Sequence, residues 1–336
     1  MADTIQSLSL VTLAQEYRGD VVRMINRRTM ALKLFRVVSG SGKNIAWAPE
    51  TSGQLAENYS EGADAANFGS DAQLAAVLPW ALYRGNFHVS NLAMDGAVGA
   101  SSPVGNRMLW ARNLVNASAA LASLLNVELY AGPGTGTRMA GLDVAIGSTT
   151  NTYAGLDRTQ AANALFRPTV VDPGSLTAPT FALIRDDLRK IFEACGETPD
   201  VALCSPAVFN AVGNLFDANR RYVQSIETAK GKIDLNFGYA GIEIDGTVFV
   251  KDKDATANQI YYINSNHIHL EVLPPSTMVG PAPQVQADDG FGAAPLGFKY
   301  ELLAKTGPSE KAEVLSTLNL VVDRPNAHGV RKNVSA

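Results

Sequence analysis

Between Ser102 and Gly132 apolar residues recur at three- and four-residue steps. Trp110, Leu114, Ala117, Leu121 and Leu124 make the stripe, and Arg107, Arg112, Asn113, Asn116 and Ser123 fall mostly between them. That spacing predicts one long helix. Ser102 is placed to cap it and Pro103 to open it, where a missing N–H costs nothing. No later proline interrupts the run before Pro133. About 28 residues at 1.5 Å each make a rod of roughly 40 Å, against a mean globular helix of about 11 to 12 residues.

After the rod the pattern changes. AGPGTGTRMAGL lacks the terminal Gly-Lys-Ser/Thr of a phosphate loop and follows a helix rather than a strand, so it reads as a linker. From Gly141 to about Asp254 the alternation predicts a compact α/β unit. Thr180 to Ala194 is a helix with Phe181, Ile184, Leu188, Ile191 and Phe192 inward, begun by Pro179 and stopped by Gly196. VALCSP is a short buried strand, Ser205 and Pro206 open a second helix, and GIEIDGTVFV is a hairpin turning at Asp245 and Gly246. Further on, Ile268, Leu270 and Val272 alternate with His267, His269 and Glu271, and TLNLVV repeats the pattern. Both strands are expected under the long helix, forming one layer.

The first 90 residues carry little period. Residues 1–45 read as an arm, with Leu8, Leu10, Leu13 and Tyr17 on one side of a short helix. A basic stretch follows, with Arg18, Arg23, Arg27, Arg28, Lys33, Arg36 and Lys43 opposed only by Asp20. Residues 46–79 reverse the sign: Glu50, Glu57, Glu61, Asp64 and Asp71 stand there without a single Lys or Arg. This Gly-, Ala- and Ser-rich stretch gives way to a strand-like run broken by Pro79, which predicts an extended hairpin loop over 46–90. A loop of about 40 residues without its own core is usually functional or disordered, so it is expected to lean on another subunit. The candidate inter-subunit contacts are Arg23, Arg27, Arg28 and Arg36 against Glu50, Glu57, Glu61 and Asp64. Complementary charges of this kind set register more than bulk affinity.

Composition narrows the classes. With 336 residues, 46% of them hydrophobic, the chain can bury a large core. Only 18% are charged, which leaves much surface free to face protein. A net charge of −4 gives no global footprint for nucleic acid or anionic membrane. Cys195 and Cys204 fit neither a disulfide framework nor zinc spacing and read as buried thiols. No secretory signal or run of 18 apolar residues is read from the sequence, so a soluble product of a reducing cytoplasm is expected. His267 and His269 lack an evident third ligand and are read as a polar strand face. Asp186 and Asp187, beside Arg185 and Arg189, are read as a solvated ion-pair face. No catalytic, cofactor or metal residue is assigned.

Taken in order, these parts resemble the major capsid proteins of tailed bacteriophages, with the α+β Hong Kong 97-like fold. The resemblance is carried by PVGNRMLWARNLVNASAALASLLNVELYAG, PDVALCSPAVFNAVGNLFDANRRY and YAGIEIDGTVFVKDKDATANQIYYINSNHIHLEV, with the closing runs FKYELLAKTG and STLNLVVDRPNAHG. It implies an N-terminal arm (1–45), an extended loop (46–90), a peripheral domain with a spine helix (91–140), an axial domain (141–256) and peripheral return strands (257–336). The implied function is a virion protein, made in the host cytoplasm, that assembles with itself into pentamers and hexamers of an icosahedral shell. Implied partners are a scaffolding protein, a portal, decoration proteins and packaged double-stranded DNA, with no membrane. An encapsulin-like nanocompartment shell is the alternative, and a soluble α/β enzyme a remote one. One family member joins its subunits covalently through a lysine, an asparagine and a glutamate. Residues 46 to 83 hold no lysine, so a noncovalent shell is expected.

Overall fold

A computed structural model describes residues 29–52, 56, 58, 61, 72–98, 104–216, 222–223, 225–228, 231–234, 241–274, 297–305 and 307–336. The cap and first-turn positions expected at Ser102 and Pro103 lie outside these. Two compact units divide the described residues: one within Leu82–Asn126 and Val272–Leu318, the other within Met30–Ala81, Val127–Glu271 and Asn319–Ala336.

The long helix is Val104–Ala131, 28 residues. Leu114, Ala117, Leu121, Leu125 and Leu129 are buried along it, while Leu124 is 44% exposed. The stripe thus steps by four from Leu121 to Leu125, and Leu125 rather than the expected Leu124 is its buried member. By length and composition alone Arg112–Ala131 would also pass as a bilayer-crossing helix. Its apolar positions are nonetheless largely buried inside the protein, with Asn126 and Glu128 buried among them.

In the first unit the strand Ala81–Ser90 pairs with Ser309–Val322. Lys299–Leu302 joins the same strand antiparallel, with Lys299 opposite Leu315 and Leu302 opposite Ala312. Gly85 lets Ala81–Ser90 approach the helix, since a Cβ there would lie 2.8 Å from the Ala117 carbonyl oxygen. Phe87 meets Trp110 edge-on at 4.9 Å between ring centroids. The indole Nε1 of Trp110 donates to the Tyr300 hydroxyl at 3.0 Å. Ala81–Ser90 and Lys299–Leu302 therefore both bring side chains against the helix here.

The second unit holds a seven-stranded sheet. Its order is Tyr222–Val223, Gly241–Ile244, Thr247–Lys251, Val201–Cys204, Ile260–Ile263, Gly329–Arg331 and Thr169–Val171. Strands from either side of residue 256 share it. Val201–Cys204 is buried throughout. The hairpin expected at Asp245 and Gly246 is present, with Ile244 opposite Thr247 and both turn residues at positive φ (48° and 87°). The helix Phe181–Cys195 is capped by the Thr180 side chain, which accepts from the Leu183 amide, and ends at Gly196 in the left-handed region. Ser205 caps Pro206–Asn214 in the same way. Ile184, Leu188 and Ile191 join Val208, Val212, Phe249 and Tyr262 in one core. Phe192, expected inward, is 51% exposed.

Also in this unit, Ile268–Val272 lies between Arg36–Ser39 and the end of Ser309–Val322. The expected single layer of the two late strands is therefore real. Its outer neighbour is a segment that the sequence reading assigned to the arm. Met30, Ala31, Leu32, Leu34 and Phe35 are all core residues, so the end of that arm belongs to a folded unit.

Two local expectations fail for physical reasons. The glycine-rich turn after the long helix is not a linker: Met139, Ala140 and Leu142 are essentially inaccessible. A Cβ on Gly132 would lie 2.4 Å from the carbonyl oxygens of both Glu128 and Met139, so glycine permits the chain to fold back on itself there. His267 and His269 do not share a solvated strand face. His267 closes a short 3₁₀ turn, Ser265–His267, and His269 is buried.

Candidate assembly surface

The extended loop begins as a two-part antiparallel stem. Ile45–Trp47 pairs with Ala76–Leu78, and Glu50–Ser52 pairs with Ala72–Gln73. Alternation explains how it holds: Ile45, Ala76 and Leu78 face inward and are buried, while Val77 points out. The Val77 amide donates to the Ala154 carbonyl at 2.9 Å, and Trp47 packs on Tyr153 at 6.3 Å. Asn319 fastens the far end, its Nδ2 donating to the Pro79 carbonyl at 2.7 Å while its Oδ1 accepts the Ala140 amide. The stem therefore leans on its own chain, which corrects the expectation of a loop ordered from outside over its whole length.

Of the candidate contact residues, Arg36, Glu50 and Glu61 are described, and all three are exposed. Arg36 opens an outer strand of its sheet and Glu50 opens the second rung of the stem. No ion pair joins these residues among those described. Arg23, Arg27, Arg28, Glu57 and Asp64 lie outside the described residues.

At the base of the stem sits an open cleft of about 440 Å³. Glu50 and Thr51 form one wall, Leu165 and Phe166 another, and Asp323 and Pro325 a third. The third wall is held by a polar cluster that the sequence reading missed. The Arg324 guanidinium donates to Glu197 at 3.0 Å and to the Cys195 carbonyl at 2.7 Å, so it also satisfies the C-terminal end of a helix. Glu197 pairs with His267 Nε2 at 2.9 Å and accepts from Asn264 at 2.7 Å. Partial burial would raise the Glu197 carboxyl, but His267, Asn264 and Arg324 hold it below its ordinary value. Behind them His328 is wholly buried and accepts the Asn264 amide at Nδ1. Burial pushes its imidazole down to about 3.

The opposite wall depends on Arg158, a buried guanidinium without a carboxylate partner among the described residues. It donates to the carbonyls of Phe166, Val144, Ser148 and Ala145 and to Asn151 Oδ1, and it lies 5.0 Å from the Tyr153 ring centroid. Burial lowers it to about 10. Asp187 likewise departs from the solvated face expected of it. It is 1% exposed and receives both Arg331 and the Tyr262 hydroxyl. Asp186 does sit on the surface with Arg189 and Lys190, whose hydrogen bonds hold its carboxyl at about 2. Cys204 is buried, Cys195 half-buried, and both are free thiols. Among the described residues no three His, Cys, Asp or Glu side chains come together as a metal site would need.

The long helix, the seven-stranded sheet and the anchored loop stem are the parts expected of a shell subunit. The solved structures agree on the fold. A cyanophage A-1(L) capsid subunit matches over 98% of this chain and 99% of its own, at 19% identity and TM-score 0.77. A native GTA particle capsid matches over 100% of both chains, at 13% identity and TM-score 0.60. The SrpI encapsulin of Synechococcus elongatus PCC 7942 matches over 100% of this chain and 97% of its own, at 11% identity and TM-score 0.58. The fold is thus the Hong Kong 97-like α+β capsid fold. Residues 122–335 match the model of the SU10 major capsid protein, and the chain belongs to that family. No curated protein matches it. It is a tailed-phage major capsid protein, a structural component of the phage head that assembles with copies of itself.

Proposed function

We propose that this chain forms the pentamers and hexamers of an icosahedral head enclosing double-stranded DNA, and that it has no enzymatic role. The observation that carries this reading is the family match over residues 122–335. The anchored loop stem gives it a physical basis, because the acidic residues Glu50 and Glu61 are exposed and unpaired within their own chain among the described residues. In this reading subunits are made in the host cytoplasm, a scaffolding protein and a portal guide closure, and decoration proteins bind afterwards. The loop and the start of the axial part then fall at residues 46–90 and about 141, while the arm ends before Met30 and the axial sheet takes in Ile260–Ile263 and Gly329–Arg331. Arg23, Arg27, Arg28 and Arg36 meet Glu50, Glu57, Glu61 and Asp64 of adjacent subunits, a contact that screens with salt.

The encapsulin likeness supports a second reading, a nanocompartment enclosing protein. The two differ in content. Particles isolated from infected or lysogenic cells and treated with nuclease are expected to retain protected double-stranded DNA. Shells holding only a protein cargo favour the second reading, and an absence of shells refutes both.

A further inference from the structure

The cleft at the stem base does not serve the fold in any evident way, and its lining is of mixed kind. Leu165 is 56% exposed on one wall beside Phe166, with Pro325 on another. Glu50 is exposed on the first wall, and the Asp323 side chain, 3.4 Å from His269 Nδ1, is 37% exposed on the third. Arg324 also reaches the cleft, but Glu197 answers its charge at 3.0 Å. The local field is therefore anionic around an apolar patch. A segment that fits must interleave cations with apolar side chains.

The chain contains such a segment outside the described residues. Residues 18–28 read RGDVVRMINRR, in which Arg18, Arg23, Arg27 and Arg28 alternate with Val21, Val22, Met24 and Ile25 against a single Asp20. Twenty-eight residues precede the first described position, Thr29. Segment 18–28 directly precedes it, so when extended its eleven residues span up to about 36 Å from Thr29 at 3.3 Å per residue. We propose that the cleft formed by Glu50, Leu165 and Asp323 is the docking site for the basic segment 18–28 of a second copy. This rests on the shell reading above and makes it more specific, because Glu50 links the arm to the foot of the loop rather than to its acidic tip alone. One subunit's arm would thereby hold the stem base of its neighbour's loop. Charge complementarity of this kind sets which copy docks and in which register.

The test places the photoreactive residue p-benzoyl-phenylalanine at position 165 of the full chain. Shells are assembled from equal parts of isotopically light and heavy subunits, then irradiated, and the joined peptides are sequenced by mass spectrometry. Adducts to residues 18–28 carrying mixed labels are expected. Adding Glu50→Lys should reduce them at least about five-fold at low salt, with the melting curve unchanged. Adducts confined to single-label pairs, adducts to another segment, or shells without adducts overturn the docking proposal while leaving the capsid reading intact. A failure to form shells even without the photoreactive residue sinks both.

Discussion

Arg331 clasps Asp187 with two parallel hydrogen bonds of 2.5 and 2.7 Å, one to each carboxylate oxygen, at a place where neither side chain is more than 6% exposed. The pair joins the helix Phe181–Cys195 to the strand Gly329–Arg331, which are 144 residues apart, and Tyr262 adds a third contact from the neighbouring strand. Burial pushes the Asp187 carboxyl up, while Arg331 and Tyr262 pull it back. Breaking such a pair leaves one charge buried alone. Asp187→Ala should destabilise the protein by about 3 to 5 kcal/mol in denaturant titrations, and replacing both partners by Leu and Met should recover much of it. A loss of under about 1 kcal/mol in the single variant would mean that Arg331 finds water there.

How much of this was legible in the sequence varies with the kind of signal. Local chemistry was readable: Thr180 and Ser205 cap helices, Gly196 ends one, and Asp245–Gly246 turns a hairpin, because each depends on neighbours within four residues. Long-range partners were not. Nothing near Asp187 points to Arg331, so its neighbours Arg185, Asp186 and Arg189 suggested a solvated face. The glycine-rich turn was misread for a related reason, since a compact fold-back and a loose linker use the same small residues. At the assembly surface the acidic loop was visible as a charge excess, but its anchored stem depends on Tyr153, Ala154 and Asn319, which are remote in the chain.

The long helix offers a paired test. Leu125 is inaccessible while its neighbour Leu124 is 44% exposed. Leu125→Asp should cost several kcal/mol and deplete soluble subunits, since it buries a carboxylate in an apolar site. Leu124→Asp should leave the melting temperature within a few degrees of wild type. Equal losses would show that the buried stripe follows the other leucine.

Acid should weaken the second unit through His328. Its folded value of about 3 lies below the ordinary 6.5, so the unfolded chain takes up the proton first. The contribution is complete above pH 6.5 and is lost as pH falls toward 3, at up to about 1.4 kcal/mol per pH unit. Between pH 6.5 and 5, carboxylates add little, and His328→Gln should flatten the slope by about 2 kcal/mol over that interval. Glutamine can still accept the Asn264 amide. Parallel slopes for the two proteins would show that the imidazole is reached by solvent.

Deleting residues 53–71 keeps both ladders of the stem and removes Glu57, Glu61, Asp64 and Asp71. Circular dichroism and thermal melts should stay close to wild type, because the stem is fastened by Ala154, Tyr153 and Asn319. Sedimentation should show subunits that no longer close into shells. Unfolding of the remainder would place the removed segment in the core of its own chain.

Charge reversal probes the proposed arm contacts separately. Arg27→Glu with Arg28→Glu should abolish assembly at low salt, since like charges then face the acidic loop and its foot, at up to a few kcal/mol per contact. Glu57→Lys with Glu61→Lys in the same chain should restore it in part. Additive defects would assign the arm to enclosed DNA instead.

The account rests most directly on self-assembly, and electron cryomicroscopy of purified particles measures it. The expected image is a closed shell of fivefold and sixfold capsomers into which this chain fits as a single repeating subunit, with each loop lying on a neighbour. A population of open aggregates or of small discrete oligomers, under conditions where the subunit is folded, would contradict it.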